Sequence, residues 1–163
     1  MAEVEKLLSA SRVSLSFEAP TGEAARLCLE SYFRELAERF EGGHDAAKDG
    51  SASDAEMAPP AGRFVVARLD GEPIGCGALK RVDGEAGEIK GVWVARSARG
   101  LGIARRILGK LEAAARDMGL ATLRLDTNKA LTEAHALYRK EGYREVERFN
   151  DNPYAHHWFD KRP

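Results

Sequence analysis

The segment RSARGLGIA, residues 96–104, places two arginines and two glycines between an apolar strand-like run and a long helical pattern. A tight turn needs only one glycine, so the second glycine and the basic residues require another explanation. Backbone N–H groups in a glycine-rich turn that leads into a helix can point together at one anion, and the positive end of the helix adds to the attraction. The segment therefore predicts a pyrophosphate-binding turn. The alternative is an ordinary turn with solvated basic flanks.

Two common phosphate-binding patterns do not fit this turn. A dinucleotide-binding fingerprint requires a third glycine, and Arg105 occupies that position here. A P-loop ends in Lys followed by Ser or Thr at the start of the helix, whereas Arg105 and Arg106 stand there. The pyrophosphate site must therefore belong to another type of turn.

Composition narrows the class of protein. The 163 residues carry a formal net charge of −1 and 44% hydrophobic residues, which is typical of one globular domain. This balance predicts no general basic surface for nucleic acid or an anionic membrane, and no apolar run reaches the length of a membrane span. The N-terminus lacks a secretory signal pattern, and two distant cysteines, Cys28 and Cys76, indicate neither a disulfide framework nor a metal site. We expect a cytoplasmic protein that binds no metal.

The hydrophobic patterns predict an α/β chain with the element order β-α-loop-β-β-β-α-β-α-β-β. Alternating apolar residues indicate the strands, and Asp-Gly pairs at 70–71 and 83–84 predict two tight hairpins. The stretch 41–62 is rich in Gly, Ser, Ala, Asp and Pro, which predicts a long loop, with or without a short helix. Loops of this length are usually functional or disordered. Thr132 is a candidate N-cap for the last helix. Helical spacing predicts three helices, over 22–40, 103–118 and 131–142.

The glycine turn resembles motif A of the GNAT superfamily of acyl-CoA-dependent N-acyltransferases, whose pattern is Q/R-x-x-G-x-G/A. Arg99, Gly102 and Ala104 fill its three defined positions. The segment ALYRKEGYREV, residues 136–146, is similar to a second family signature at the right distance. The resemblance covers most of the chain from Arg63 onward, and the C-terminal segment is similar to that of many bacterial members.

The resemblance implies the GNAT fold over residues 1–163 as a single domain. That fold has a mixed central sheet of about six to seven strands and about four flanking helices, and it is splayed between the fourth and fifth strands. The acetyl-CoA-binding core would span about 63–143. Loop 41–62 and the C-terminal hairpin 143–161 would shape the acceptor site.

The resemblance also implies a site for acetyl-CoA that is built mainly from backbone groups. N–H groups of the turn would bind the pyrophosphate, and the preceding strand would pair with the pantetheine arm and polarise the thioester carbonyl. Asn128 would reach the pantetheine amide or, equally, would cap a turn, because it lies further from the family's tyrosine than the motif asparagine does. The implied donor-binding residues are Val92, Trp93, Val94, Arg99, Gly100, Leu101, Gly102, Ile103, Ala104 and Asn128.

Two side chains are implied to be catalytic. Glu88, on the strand before the turn, matches the position of the general base in several similar enzymes; the alternative is an exposed residue paired with Lys90. A base is needed because a lysine-like amine has a pKa of about 10.4 and must lose a proton before it attacks. Tyr138 resembles the tyrosine that protonates the departing CoA thiolate; the alternative is a residue that packs on the helix face with Ala134 and Leu137.

The acceptor site is expected to form from the first predicted helix, loop 41–62 and the C-terminal hairpin. Its candidate residues could seat a small cationic amine between aromatic rings and a carboxylate. We therefore expect an N-acetyltransferase that acts on a small-molecule primary amine by direct attack in a ternary complex, as a monomer or homodimer. The alternatives are a non-catalytic acyl-CoA sensor and a protein lysine or N-terminal acetyltransferase. The candidate acceptor residues are Tyr32, Phe33, Asp151, Tyr154 and His156.

Overall fold

The computed structural model describes residues 2–163, which form one mixed sheet with helices on both faces. The helices are α1 (Ala2–Ser11), α2 (Glu23–Arg39), α3 (Ile103–Asp117) and α4 (Thr132–Lys140). The strands are β1 (Val13–Phe17), β2 (Gly62–Leu69), β3 (Glu72–Arg81), β4 (Ala86–Val94), β5 (Thr122–Thr127), β6 (Arg144–Val146) and β7 (His157–Lys161).

The seven strands lie in the order β1-β2-β3-β4-β5-β7-β6. Only β4 and β5 are parallel, and their pairing ends after the pair Glu88–Arg124. Beyond that pair the two strands diverge, so the mixed sheet and the predicted splay between the fourth and fifth strands are confirmed. We call this opening the split.

The predicted element order is confirmed, with one helix added at the N-terminus. The sequence patterns assigned no element to the segment that forms α1, whose side chains all remain at least partly exposed. Thr132 is the first residue of α4 rather than its N-cap: Leu131 precedes the helix, and no side chain caps it. The hairpin turn at Asp70-Gly71 is confirmed, with both residues at positive φ (51° and 86°), as a two-residue turn between twisted strands requires. In the described part of the chain, no helix combines the length and apolar character needed to cross a membrane.

The sheet separates two apolar clusters. Helix α3 packs on one face, where Ile107 and Leu111 are fully buried against the central strands. Helix α2 and loop 41–62 cover the other face, where Met57 of the loop is buried beside Phe64 and Cys76. The loop predicted from composition therefore contributes to the apolar cluster under α2. It contains two short 3₁₀ turns at Ala46–Lys48 and Ala55–Met57.

A β-bulge at Gly91 changes which faces the end of β4 presents. Ala78 pairs with Lys90, but the next pair along the strands is Cys76 with Trp93, so β4 has one extra residue here. Gly91 has a φ of 59°, which favours glycine. Because of the bulge, Ile89 and Val92 both face the α3 side of the sheet, although regular alternation would place them on opposite sides.

The close approach of α3 to the sheet predicts the effect of Gly77→Ala. A Cβ atom at this position would lie 2.6 Å from Cγ2 of Ile107 and 3.1 Å from Cδ1 of Leu111. We expect overpacking to lower the free energy of unfolding by about 1–3 kcal/mol, measured by urea denaturation. Gly109→Ala on the exposed side of α3 meets no atom within 4 Å, and should instead stabilise the protein by about 0.5–1 kcal/mol. Equal stability of Gly77→Ala and the wild type would contradict this account of the packing.

Candidate active site

A cavity of about 350 Å³ lies where β4 and β5 separate. Its walls come from the unpaired ends of these two strands, from α4, from α2 and from loop 41–62. Along β5, Leu123 and Leu125 face α3, so Thr127 shares their side while Asp126 points to the α2 side. The cavity therefore passes through the sheet: one half lies beside α4 and the other lies beneath α2 and the loop.

The predicted pyrophosphate turn joins β4 to α3. Gly100 and Gly102 have φ angles of 85° and 74°, and a Cβ atom at either position would meet nothing within 4 Å. These glycines are therefore required by backbone conformation and not by packing. Among residues 2–163, the N–H groups of residues 100–105 have no hydrogen-bond acceptor, and the first turn of α3 contains no acidic residue. This is the geometry of an anion site at a helix N-terminus.

The arginines around the turn have different roles. The Arg99 guanidinium donates to the Val94 carbonyl at 3.1 Å and to Glu35 at 2.6 Å, so it braces the turn against β4 and α2. Arg106 donates to the carbonyl groups of Ala10 and Val13, and thereby holds α1 and the start of β1. The Arg105 side chain is 72% exposed. On this exposed surface Arg105 forms an ion pair with Glu141 at 3.3 Å.

Thr127, at the end of β5, is a polar wall residue that the sequence did not single out. The residue is 6% exposed and lines the cavity. Its Oγ1 atom is buried and has no hydrogen-bond partner within the described residues. A buried hydroxyl without a partner costs free energy. A ligand in the α4 half of the cavity could remove this cost by donating a hydrogen bond to the hydroxyl or accepting one from it.

Tyr138 lies on the face of α4 that lines the same half of the cavity. Its ring packs against Tyr143 and Phe159, with centroid distances of 5.9 and 6.0 Å. Burial raises the pKa of Tyr138, and the nearby carboxylates Asp126 and Glu133 raise it further. The hydroxyl therefore keeps its proton at neutral pH. It makes no hydrogen bond to another residue in the range 2–163, so it is available to a ligand.

Glu88 lies at the last paired position before the split. It is 9% exposed, and its carboxylate forms an ion pair with Lys90 at 3.1 Å. Lys90 lines the cavity, whereas Glu88 is not part of the wall. The Glu88 carboxylate therefore contacts Lys90 but does not itself border the cavity.

The Asn128 side chain is committed to local structure. Its Nδ2 donates to the Tyr154 carbonyl at 2.7 Å, and its Oδ1 accepts from the Ala130 N–H at 2.8 Å. Both ends of the amide are therefore satisfied. This geometry favours the turn-capping alternative over contact with the pantetheine arm.

The structure brings only part of the predicted acceptor set to the cavity. Tyr32 and Phe33, on α2, line it. Tyr154 lies behind the wall, where its hydroxyl accepts from the N–H of Asp45. Asp151 is fully exposed and pairs with Arg148, and His156 accepts from the Lys129 N–H on the outer surface. These last two side chains do not reach the cavity.

Loop 41–62 is anchored over the cavity by an aromatic cluster. His44 packs between the rings of Phe33, Phe40 and Tyr154, with centroid distances of 5.7, 5.6 and 4.7 Å. Its Nε2 lies 2.5 Å from the carboxylate of Asp49, and its side chain is 2% exposed. This cluster fixes the position of the loop segment that contains Asp49, and Asp49 is part of the cavity wall.

Comparison with known proteins identifies the family. The sequence profile of the Acetyltransferase (GNAT) family matches residues 29–143. The chain is 35% identical over 133 residues to an "IAA acetyltransferase" of Azospirillum brasilense, covering 80% of this chain and 84% of that protein. The chain therefore belongs to the GNAT acetyltransferase family and is an acyltransferase, and acetyl-CoA is the donor that the family uses.

Solved structures share the fold at lower sequence identity. A GNAT family acetyltransferase from Staphylococcus aureus has a TM-score of 0.78 at 16% identity, covering 92% of this chain and 98% of that one. A GNAT family acetyltransferase from Elizabethkingia anophelis with acetyl-CoA bound has a TM-score of 0.63 at 18% identity, covering 93% and 99%. At these identities the likeness establishes the fold.

An ion pair across one end of the cavity ties α2 to α4. The Arg39 guanidinium on α2 forms a bidentate pair with Glu133 in the first turn of α4. It also donates to the Ala130 carbonyl at 2.9 Å. The hydrogen bond from Arg39 lowers the pKa of Glu133 to about 2, against an ordinary value of 4.5.

Glu133→Gln should therefore weaken the fold in a pH-dependent way. Because the pKa of Glu133 is lower in the folded than in the unfolded chain, the pair stabilises the protein fully above pH 4.5, and this contribution is lost as the pH falls towards 2. We expect the variant to lose about 0.5–1 kcal/mol at pH 7, since both side chains are partly solvated. Thermal unfolding of both proteins across this pH range measures the difference. A difference that stays constant down to pH 2 would contradict the assignment. Glu5→Gln on α1 serves as the control, because Glu5 forms no ion pair within residues 2–163.

Proposed function

We propose that this protein transfers an acetyl group from acetyl-CoA to the primary amine of a small molecule, with residues 1–163 acting as one domain. The observation that carries the proposal is the split itself. A turn of unpaired N–H groups follows β4, and a cavity with the unpartnered Thr127 hydroxyl passes between β4 and β5. One passage through the sheet thus offers separate entrances to a donor and an acceptor.

The donor would lie along the α4 half of the cavity. The N–H groups of residues 100–105 would bind the pyrophosphate. The edge of β4 that faces β5 is unpaired beyond Glu88, although β4 remains paired with β3 on its other side. At Val92–Val94 this free edge would pair with the pantetheine arm. Thr127 supplies a hydroxyl on the opposite wall. It would make the contact with the pantetheine arm that the family resemblance implied for Asn128.

The site offers a group for each proton that moves. The protonated amine would first lose one proton through water beside Lys90 to Glu88. The neutral amine nitrogen then bonds to the acetyl carbonyl carbon, the carbon–sulfur bond breaks, and Tyr138 would give its proton to the departing sulfur. The second proton, lost from the nitrogen after the new bond forms, would restore the Tyr138 hydroxyl through water. Unpaired N–H groups of β4 would stabilise the negative charge that develops on the carbonyl oxygen.

The enclosure of the α2 half favours a small acceptor. Ala46, Asp49 and Ala52 of loop 41–62 form part of its wall, and the loop is fixed there by the His44 cluster. A cavity of about 350 Å³ falls at the lower end of the range for small-molecule sites. An extended peptide would have to displace the loop.

The direct test is release of free thiol from acetyl-CoA with a panel of amino acids, polyamines, aminoglycosides and short peptides, while donor binding is measured by calorimetry. Turnover with a small amine supports the proposal. Turnover with peptides alone would favour a protein acetyltransferase. Donor binding without turnover on any acceptor would favour an acyl-CoA sensor.

Arg105→Glu tests the anion site. Because it also breaks the ion pair with Glu141 at 3.3 Å, Glu141→Gln serves as a second control for loss of that pair. A carboxylate at the third position of α3 suits the helix dipole, yet it would compete for the free N–H groups and repel a pyrophosphate. We expect acetyl-CoA affinity to fall about tenfold or more. Arg116→Glu makes the same change in net charge at the other end of the helix, roughly 16 Å away, and should leave the affinity nearly unchanged. Equal affinities of Arg105→Glu and Arg116→Glu would remove the turn from the donor site.

Tyr138→Phe tests the acid role. The ring would keep its contacts with Tyr143 and Phe159, so the fold and donor affinity should persist. The thiolate is a fair leaving group, because a thiol has a pKa of about 8.5. We therefore expect kcat to fall about tenfold to a hundredfold, measured by thiol release at saturating donor. An unchanged kcat would exclude Tyr138 as the proton donor.

A further inference from the structure

We propose that the acceptor is an amine that carries a second positive charge, and that Asp126, together with Asp49 on the facing wall, binds that charge. The inference rests on the proposed transfer reaction, because it concerns the chemical class of the acceptor. It follows from the charges in the α2 half of the cavity.

Asp126 presents an oriented carboxylate to the cavity without a cationic partner. Its two oxygens accept hydrogen bonds from Asn150 Nδ2 at 2.6 Å and Asn152 Nδ2 at 3.0 Å. Trp158 Nε1 in turn donates to Asn150 at 2.9 Å, so the connection between β6 and β7 is fixed over the carboxylate. No Lys or Arg side chain within residues 2–163 forms an ion pair with Asp126. The residue is therefore held in place while its charge remains uncompensated.

Asp49 contributes a second carboxylate from loop 41–62. It is 9% exposed and accepts from the backbone N–H of Ser51 at 2.7 Å, from the Ser51 hydroxyl and from His44. Asp49, Asp126 and Tyr32 of α2 line the same cavity, so both carboxylates can meet one ligand. Burial raises the pKa of the Tyr32 hydroxyl, and the two carboxylates raise it further.

The cations in the cavity wall are already neutralised. Arg26 pairs with Asp54, and Lys90 pairs with Glu88 at 3.1 Å. Asp49 has the His44 ring at 2.5 Å, so Asp126 is the carboxylate of this pair that has no basic partner among residues 2–163. A carboxylate that faces a confined space without a cation is costly, so a ligand that brings an ammonium group would gain both an ion pair and charge-assisted hydrogen bonds.

The Thr127 hydroxyl shows that the cavity as a whole receives a polar ligand. It is buried in the wall of the same cavity, on the donor side, and has no partner among the described residues. Asp49 and Asp126 line the other half of that cavity.

The charge that Asp126 recognises must belong to a group other than the reacting amine. The amine that attacks the thioester has to be neutral, and a carboxylate bound to it would favour its protonated form. A second ammonium avoids this conflict, because it can remain charged throughout the reaction. The expected acceptor is therefore a diamine or a longer polyamine-like compound, and a carboxylate in place of the second ammonium would be repelled.

The test is calorimetric binding of three ligands of similar length to the protein saturated with CoA: 1,4-diaminobutane, 4-aminobutanoate and butylamine. On the wild type we expect the diamine to bind about tenfold or more tightly than either of the others. Asp126→Asn, which keeps the shape of the side chain, should reduce that preference to within about twofold. Asp117→Asn, an exposed position at the end of α3, should leave it intact.

Each outcome decides the inference. Equal or tighter binding of 4-aminobutanoate, or binding of none of the three ligands, would overturn it. An unchanged preference in D126N, with CoA binding and the thermal transition retained, would remove Asp126 from the site. The ranking on the wild-type protein needs no variant, so it decides even if D126N is unstable. Binding of the diamine without thiol release would leave the cation site in place and reject the proposed transfer, so the two failures are distinguishable.

Discussion

The ending of the β4–β5 ladder after Glu88 is the constraint on which the rest of the structure depends. Backbone groups in a sheet interior are normally paired, and here two central strands leave the ladder while they remain inside the fold. The bulge at Gly91 allows this, because it turns Val92 towards α3 while β4 stays paired with β3. Gly77, on the neighbouring strand, leaves room for Ile107 of α3 to pack beneath the bend. The opening is therefore built into the core and does not arise from a flexible segment.

Holding the split open requires connections that bypass the sheet. Arg39 joins α2 to α4 across one end of the cavity. Asn150 and Asn152 fix the connection between β6 and β7 to Asp126. On the opposite wall, the ring of His44 fixes loop 41–62 against α2. The Arg39 and asparagine contacts join segments that are distant in sequence, and His44 also packs on the ring of Tyr154. The cavity walls are therefore set by tertiary structure and not by any single helix or strand.

Local chemistry explains which parts could be predicted from the sequence. The glycine turn, the Asp-Gly hairpin and the amphipathic α3 depend on neighbouring residues, and the sequence patterns identified all three. Asp126 and Thr127 were not singled out, because their importance depends on which strand stops pairing beside them. Tyr32 and Phe33 were found through the position of α2. Asp151 and His156 were chosen for residue type in a hairpin whose course over the sheet no local pattern reveals. The sequence left open that Asn128 binds the donor, but in the fold both ends of its side-chain amide are hydrogen-bonded to the protein.

In the proposed reaction, the passage through the sheet would divide binding of the donor and binding of the acceptor between opposite faces. The face of β5 that carries Thr127 meets α4, and the face that carries Asp126 meets α2 and the loop. Substitutions in loop 41–62 can therefore reshape one compartment while the backbone of the glycine turn and the other compartment stay as they are. Acceptor specificity could therefore change during evolution while the binding of acetyl-CoA is preserved.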